Sequence, residues 1–148
     1  MSTLIRNGTI VTMNAKREVL RGDLRLDKGR IMEISPALRP RAGEEIFDAQ
    51  NCFVIPGLIQ THTHLCQTLF RGLADDLELL DWLQQKIWPF EKAHNEASLR
   101  ASARLGILEM QRLGTTAIVD MGTTSGAGFI FEEAERSGLR YFGGNCFM

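Results

Sequence analysis

The sequence predicts an α/β chain in which a small region of short β-strands precedes a parallel sheet built from strand–helix units. Over the first fifty residues, short apolar–polar alternations are separated by tight-turn dipeptides, which indicates antiparallel strands. From residue 53 onward, strand-like apolar runs alternate with helical patterns, as in a sheet of right-handed crossover units. We therefore divide the chain into residues 1–52, a β-region that forms part of a sandwich, and residues 53–148.

Short strand patterns and turn dipeptides fill the β-region. The predicted strands cover residues 4–6, 9–13, 23–27, 30–34 and 45–48. Asn7-Gly8 predicts a two-residue hairpin turn between the first two strands, and Lys28-Gly29 predicts a turn between the third and the fourth. Because a sheet of this size buries a single face, we expect it to depend on further strands for its stability.

The second region begins with a strand, and its first helix follows after a loop. Residues 53–59 form a nearly continuous apolar run, which is typical of a strand buried on both faces. Apolar residues at helical spacing predict a helix over residues 77–88, with Asp75 and Asp76 as capping candidates. Pro89 is expected to end this helix because its ring cannot continue the hydrogen-bond ladder.

Four further elements complete the alternation of strands and helices. Asn95 is the expected N-cap of a second helix, which Gly114 is expected to end. The expected inner face of that helix consists of Leu99, Ala103, Gly106, Ile107, Met110 and Leu113. A β-branched strand is predicted at residues 115–120, then a helix at residues 129–137 and a strand at residues 139–143.

Composition and charge restrict the class of protein. The 148 residues are 44% hydrophobic and 24% charged, and the formal net charge is −1. A chain without a basic field does not attract nucleic acid, and no apolar run reaches the roughly 20 residues of a membrane helix. The three cysteines are odd in number and widely spaced, which argues against a disulfide framework. We therefore expect a globular protein of the reducing cytoplasm, without a nucleic-acid or membrane partner.

Two histidines one residue apart form the candidate metal site. His62 and His64 come just after the first strand of the second region, and side chains two positions apart on a strand face the same side. Neutral imidazoles that converge in this way bind borderline metals such as zinc. The carboxyl end of a strand is also where parallel β/α folds build their active sites. The alternative is a pair of exposed loop histidines without a ligand.

The run from Pro56 to His64 resembles the signature of the amidohydrolase superfamily. The likeness continues through residues 69–76, 81–83 and 89–91 and extends over essentially the whole chain. The branch that it most resembles contains aromatic-ring deaminases and chlorohydrolases. Among them are the deaminases of S-adenosylhomocysteine, methylthioadenosine and 5′-deoxyadenosine, together with guanine deaminase and triazine hydrolases. The resemblance implies a (β/α)8 TIM barrel, of which residues 53–148 hold about three strands, and a β-sandwich to which residues 1–52 contribute.

The resemblance also implies a hydrolytic enzyme. In this branch the paired histidines of the first barrel strand, here His62 and His64, bind one divalent metal ion, which is zinc or alternatively iron. The ion activates a water that attacks an electron-poor ring carbon, and ammonia or chloride leaves. The implied reaction is hydrolysis of a carbon–nitrogen bond other than a peptide bond, as in deamination of an aminopurine or adenosine-type compound. Removal of chloride or an alkylamine from a triazine is the alternative among small-molecule substrates.

Two residues are expected to bind substrate on the basis of the same resemblance. In the adenosine-type deaminases a glutamate that follows a proline binds the ribose hydroxyls, and Pro89-Phe90-Glu91 matches this pattern. The resemblance also places Trp82 in the substrate pocket. The alternatives are a solvated carboxylate at the end of the helix for Glu91 and a place on the apolar helix face for Trp82.

Four other polar or reactive residues have structural interpretations. Cys66 is expected to be a buried thiol, and His94 is expected to be a solvated loop side chain. Arg71 is expected at the surface, paired with one of the aspartates at residues 75–76 unless it orients a substrate. Asp120 lies at the end of its strand and is expected to hydrogen-bond the neighbouring loop.

The implied barrel needs more chain than is present. A TIM barrel takes about 250 residues, so the remaining metal ligands and the catalytic general base are expected beyond Met148. Because two histidines without further ligands hold zinc weakly, we expect the 148-residue chain alone to be inactive. The alternative of another class is a non-catalytic piece that associates through its open sheet edges. The resemblance further allows a homo-oligomer.

Overall fold

The computed structural model describes residues 2–146, and the chain divides into two compact units between Pro56 and Gly57. The ends of the predicted domains, Met1 and residues 147–148, lie outside the described residues. The assignment of residues 1–52 and residues 53–148 to two domains therefore stays a prediction. None of the helices within residues 2–146 is long and apolar enough to cross a membrane.

The first unit is a five-stranded sheet centred on its first strand. The strands are β1 (Thr3–Val11), β2 (Val19–Asp27), β3 (Arg30–Ser35), β4 (Glu45–Asp48) and β5 (Phe53–Val54). β1 pairs antiparallel with β2 and parallel with both β4 and β5, and β3 lies outside β2. The predicted turn between β2 and β3 is confirmed: Lys28 and Gly29 both have positive φ angles, of 49° and 71°.

The predicted hairpin at Asn7-Gly8 is wrong, because β1 runs straight through these residues with a bulge. The register between β1 and β2 shifts between Ile5 and Gly8, and Asn7 has a φ of 61°. The N–H of Asn7 donates to Oδ1 of the buried Asp23 at 2.9 Å, which replaces the bond that the ladder loses. A side chain sixteen residues away therefore converts a turn signal into a bulge.

The second unit contains a parallel three-stranded sheet and its crossover helices, as the sequence predicts. The strands are β6 (Leu58–Thr63), β7 (Thr115–Asp120) and β8 (Arg140–Phe142), in that spatial order. The helical elements are a 3₁₀ helix (Leu65–Phe70), α1 (Leu79–Trp82), a π-helical turn (Leu83–Ile87), α2 (Trp88–Ala93), α3 (Glu96–Arg112) and α4 (Ala127–Ser137). Their core lies around Ile118 of β7, which packs with Leu65, Leu99, Ile107 and Ile130.

The apolar run at residues 53–59 is not the single buried strand that the sequence predicts. It is divided between β5, in the first unit, and β6, in the second, with Pro56 between them. Phe53 is 73% exposed and Ile59 is 67% exposed. β6 is an edge strand of the described sheet, so no neighbouring strand and helix cover that side.

The first predicted helix continues beyond Pro89, where the sequence predicts a stop. Pro89 lies at the first turn of α2, where its missing N–H costs no hydrogen bond within that helix. The π-helical turn directly before α2 changes the hydrogen-bond spacing and accommodates the proline. Glu91 consequently lies inside a helix, and the prediction that Pro89 ends the helix is wrong.

The capping of α3 confirms the prediction for the second helix. The side chain of Asn95 accepts from the N–H of Ser98 at 2.9 Å, and Ser98 Oγ accepts from the N–H of Asn95 at 3.1 Å. The predicted inner face is buried or partly buried except at Leu113, which is 77% exposed. Leu113 follows the last helical residue with φ and ψ of −95° and 9°, so it leaves the helix face and that prediction is wrong.

Glu133 of α4 is a buried carboxylate held by three arginines. Its oxygens accept from Arg104 Nε at 2.6 Å, from Arg136 Nη1 at 2.8 Å and from Arg100 Nη1 at 2.9 Å. The hydrogen bond from Arg104 and the charges of these arginines outweigh burial and lower the pKa of Glu133 from 4.5 to about 2. The charged form is therefore strongly favoured in the folded chain.

Replacing Glu133 by glutamine is expected to lower the free energy of unfolding by about 2 kcal/mol at neutral pH. Because the pKa of Glu133 falls on folding, its stabilising contribution is present above about pH 4.5 and is lost as the pH falls towards about 2. The difference between wild type and Glu133→Gln should therefore shrink across this window in urea unfolding. Glu132→Gln is the control, because Glu132 is a half-exposed neighbour that also pairs with Arg100. It should lower the free energy of unfolding by less than Glu133→Gln does at neutral pH. A pH-independent difference would contradict the prediction.

Candidate metal centre

The two histidines of the candidate metal site converge at the end of β6. His62 lies in the strand and His64 follows its last residue, Thr63. Because side chains two positions apart in an extended segment face the same side, the two rings lie together. Their Nε2 atoms are 3.2 Å apart, and the ring planes meet at 63°. Both rings line one open cleft of about 730 Å³. The structure thus brings together the two imidazoles that the sequence singles out.

The spacing of the two nitrogens suits a shared metal ion. Two ligand nitrogens at the usual zinc distance, on a tetrahedral ion, lie about 3.3 Å apart. The observed 3.2 Å agrees with this spacing, and imidazole nitrogen is a preferred zinc donor. Within residues 2–146 no group of three or more His, Cys, Asp or Glu side chains is placed to hold a metal. The described part of the chain therefore offers two candidate ligands, His62 and His64.

His64 is half-buried and favours its neutral form. Burial lowers the pKa of His64, and the neighbouring His62 lowers it further, against the opposing charges of Asp120 and Glu91. A neutral imidazole keeps a lone pair on one nitrogen, which is the form that a metal ion binds.

Hydrogen bonds from the carboxyl end of β7 hold the backbone between and after the histidines. Thr63 Oγ1 donates to the carbonyl of Val119 at 3.1 Å, and the N–H of Met121 donates to the carbonyl of Thr63 at 2.8 Å. The N–H of Leu65 donates to Oδ1 of Asp120 at 2.8 Å. The prediction that Asp120 bonds the neighbouring loop is therefore confirmed.

Trp82 and Glu91 lie on different sides of the same helical segment. Trp82 lines the cleft that contains His62 and His64. Glu91 is 4% exposed and lines a smaller hollow of about 340 Å³ with Lys92. The solvated interpretation of Glu91 is therefore wrong, because α2 turns this carboxylate inward.

Gln67 links the carboxylate of Glu91 to His64, and sequence reasoning missed it. Gln67 Nε2 donates to Glu91 Oε1 at 2.8 Å and lies 3.4 Å from His64 Nδ1. The thiol of Cys66 also contacts Glu91 Oε1, at 3.4 Å. The signal that could have found Gln67 is its position three residues after His64, which places both on one side of a helical turn.

The family profile that matches this sequence is that of the amidohydrolase family, and it covers residues 53–148. The matched segment is more than half of the chain and contains both histidines of the cleft. The chain belongs to the amidohydrolase family. The resemblance that the sequence shows from Pro56 to His64 is thereby confirmed.

Curated relatives of this amidohydrolase chain are named as deaminases. The 5′-deoxyadenosine deaminase of Methanothrix thermoacetophila is 42% identical over 120 residues, which are 81% of this chain and 27% of the relative. The 5-methylthioadenosine/S-adenosylhomocysteine deaminase of Lawsonia intracellularis is 40% identical over 146 residues, which are 96% of this chain and 33% of the relative. The chain thus spans about a third of the length of these relatives.

Solved structures share the fold of the amidohydrolase chain. An adenosine deaminase from Xanthomonas campestris with bound zinc matches 94% of this chain and 32% of its own, with 29% identity and a TM-score of 0.82. An atrazine chlorohydrolase from Arthrobacter aurescens complexed with zinc matches 97% of this chain and 35% of its own, with 23% identity and a TM-score of 0.84. At that identity the second likeness shows the fold alone.

Three further residues of the amidohydrolase chain have structural partners. Cys66 is fully buried as predicted, and burial followed by the charge of Glu91 raises the pKa of its thiol, so it stays protonated. The prediction that His94 is solvated is wrong: its Nε2 lies 2.7 Å from the carbonyl of Cys66, and its ring stacks on Phe70. Arg71 is exposed, but it pairs with Glu109 at 2.9 Å instead of an aspartate at residues 75–76.

Proposed function

We propose that this chain is part of a metal-dependent amidohydrolase that releases ammonia from an adenosine-type compound by hydrolysis. The observation that carries the proposal is the pair of Nε2 atoms 3.2 Å apart, His62 and His64, at the carboxyl end of a parallel strand. Membership of the amidohydrolase family and relatives named as adenosine-type deaminases support the substrate class.

The proposed metal ligands in this chain are His62 and His64. A zinc ion would supply an activated water at neutral pH, and iron is the alternative ion. Zinc in the solved structure of the Xanthomonas campestris adenosine deaminase supports the first choice. Because hydrolytic zinc sites use at least three protein ligands and residues 2–146 hold no group of three, we expect the other ligands and the general base to come from elsewhere in the complete protein. We expect no turnover from the 148-residue polypeptide alone.

We assign β6, β7 and β8 to the first three strands of a (β/α)8 barrel and the first unit to a β-sandwich. Two features support the barrel: the strands are parallel and in sequential order, and the histidine pair lies at their carboxyl end. The exposed apolar side chains of the first unit, Ile46 and Phe47 among them, support further strands on its sheet.

We assign Glu91 and Trp82 to substrate binding. Trp82 lines the histidine cleft, where an aromatic ring can pack against a purine. Glu91 is buried and lies one side chain, Gln67, away from His64. The bonds from Gln67 and Cys66 both end at Oε1, so Oε2 can accept a hydroxyl from a sugar.

The test of this proposal is ammonia release by the product of the complete reading frame. The substrates are 5′-deoxyadenosine, methylthioadenosine, S-adenosylhomocysteine, guanine and a chlorinated triazine, with metal content measured in the same preparation. Release from the adenosine compounds is the expected result. Turnover of the triazine alone would move the assignment to that substrate. A preparation without metal and without turnover would refute the enzymatic proposal and favour an assembly role.

Replacing Glu91 by glutamine is expected to raise KM for ribosides by about tenfold and to change KM for a free base by less than about twofold. The expectation rests on the loss of one charge-assisted hydrogen bond to a sugar hydroxyl. Glu109→Gln, at an exposed carboxylate that pairs with Arg71 beside the histidine cleft, is the control. Equal loss on ribosides and free bases would contradict the sugar contact.

A further inference from the structure

Asp120 sits at the carboxyl end of β7 and receives two short hydrogen bonds from opposite sides. The N–H of Leu65 donates to Oδ1 at 2.8 Å, and the hydroxyl of Tyr141 donates to Oδ2 at 2.8 Å. Asp120 is 3% exposed, so both bonds are shielded from water. These contacts run across the whole sheet, from β8 through β7 to the residue pair that follows β6.

The bond to Leu65 acts on the conformation of His64. The N–H of Leu65 belongs to the peptide plane that follows His64, and the ψ angle of His64 sets the direction of that N–H. His64 has φ and ψ of −135° and 84°, between the extended and helical regions. Fixing the N–H against Asp120 therefore ties the peptide after His64 to the end of β7, as the hydrogen bonds of Thr63 tie the peptide before it. With both flanking peptides held, the Cα–Cβ bond of His64 is held as well, and with it the direction from which the imidazole leaves the chain.

Tyr141 in turn orients the carboxylate of Asp120. Its ring is half-buried and meets Phe131 edge-on, with 5.0 Å between the centroids and 74° between the planes. The hydroxyl has a single donor hydrogen, which the bond to Oδ2 uses. With Oδ2 engaged, Oδ1 faces the N–H of Leu65.

We propose that Asp120 and Tyr141 are positioning residues for the His62–His64 pair. They keep the two Nε2 atoms at metal-binding spacing by restraining the backbone directly after His64. Neither residue touches the reacting atoms in this role. The inference rests on the proposed metal site, and it adds two residues that act on that site from the neighbouring strands.

The same bonds could serve the stability of the sheet alone, and Ser102 separates the two roles. Ser102 Oγ donates to the carbonyl of Leu65 at 2.7 Å and is fully buried. Its bond is as short as those of Asp120, and it reaches the same residue. It acts on the peptide after Leu65, however, and so leaves the ψ angle of His64 unrestrained. Ser102→Ala is therefore the matched control for loss of one buried hydrogen bond.

The experiment measures Zn²⁺ affinity by chelator competition and the visible absorption of the Co²⁺-loaded protein, on the product of the complete reading frame. Asp120→Ala is expected to lower Zn²⁺ affinity by about tenfold or more, as loss of an outer-shell partner does elsewhere. Tyr141→Phe should lower it less and should shift the Co²⁺ spectrum. Asp120→Asn keeps an acceptor for Leu65 and should restore most of the affinity. Ser102→Ala should reduce the urea midpoint without changing affinity or spectrum.

Affinities of Asp120→Ala and Tyr141→Phe equal to that of Ser102→Ala would overturn the inference and leave the metal site intact. If Asp120→Ala does not fold, the Zn²⁺ affinity and the Co²⁺ spectrum of Tyr141→Phe test the inference, and values equal to those of Ser102→Ala overturn it. Failure of the wild type to bind Zn²⁺, or binding that His62→Ala does not reduce, would instead refute the proposed function. The two failures are therefore distinguishable.

Discussion

On the proposed function, replacing His64 by alanine in the product of the complete reading frame is expected to reduce bound metal to background and to lower turnover by at least about a thousandfold. The reason is that a bound metal ion lowers the pKa of water to about 7, far below that of free water. The Nε2 atoms of His62 and His64 are 3.2 Å apart, so removing one ring removes one of the two imidazole donors that residues 2–146 contribute to the proposed site. His62→Ala should have the same effect, and the double replacement should add little because the pair acts as a unit.

The control for this prediction is the third histidine. His94 is also a partly buried imidazole, but both of its nitrogens are engaged, with the carbonyl of Cys66 and with Ser98 Oγ. His94→Ala should therefore lower the unfolding midpoint and keep the metal content of the wild type. Metal content by plasma emission and ammonia release under saturating substrate measure both variants. Equal metal loss from His94→Ala and His64→Ala would assign the effect to unfolding.

Replacing Gly122 by alanine is expected to lower the free energy of unfolding by about 3 kcal/mol or more. Gly122 has a φ of 79°, and an added Cβ would collide with the carbonyl oxygen of Gly144. Because that oxygen is backbone, the clash cannot be relieved by rotating a side chain. The carbonyl of Gly122 also contacts the thiol of Cys66 at 3.3 Å, so a shift here reaches the 3₁₀ helix after His64.

Gly138 supplies the control that separates the collision from the φ angle. It has a φ of 72° at the C-cap of α4, and no neighbouring atom lies within 4 Å of an added Cβ. Gly138→Ala should therefore lower the free energy of unfolding by about 1 kcal/mol, because alanine disfavours the left-handed conformation. Urea unfolding of both variants measures the difference. Equal losses would show that the approach of Gly144 does not constrain residue 122.

Local signals predicted the elements whose partners lie close in sequence. The cap of α3 depends on Asn95 and Ser98, and the β2–β3 turn depends on Lys28-Gly29, so a short window contains the whole interaction. The bulge at Asn7 depends on Asp23, and the continuation of the first helix depends on a π-helical turn ahead of Pro89. No local pattern contains that information.

The candidate site also contains features that a local pattern predicts and features that it does not. The spacing of His62 and His64 was enough to predict that their rings meet, because both belong to one extended segment. Gln67 and Tyr141 reach the site from a 3₁₀ helix and from another strand, and only the packing of those elements brings them there. The exposure of β6 also could not be predicted, because an apolar run gives the same sequence pattern whether or not a neighbouring strand covers it.

The π-helical turn sets the rotational phase of the helical segment that carries Trp82 and Glu91. Each residue of an α-helix advances by about 100°, so one residue more or less in the turn rotates everything after it by that amount. With the turn at Leu83–Ile87, Trp82 faces the histidine cleft while Glu91 points to the smaller hollow. Deleting one residue from this turn would leave Trp82 and Glu91 in the sequence, but Glu91 would then point in a different direction relative to Trp82. The angle between the directions of Trp82 and Glu91 thus depends on the five residues Leu83–Ile87, which make no hydrogen bond to His62 or His64.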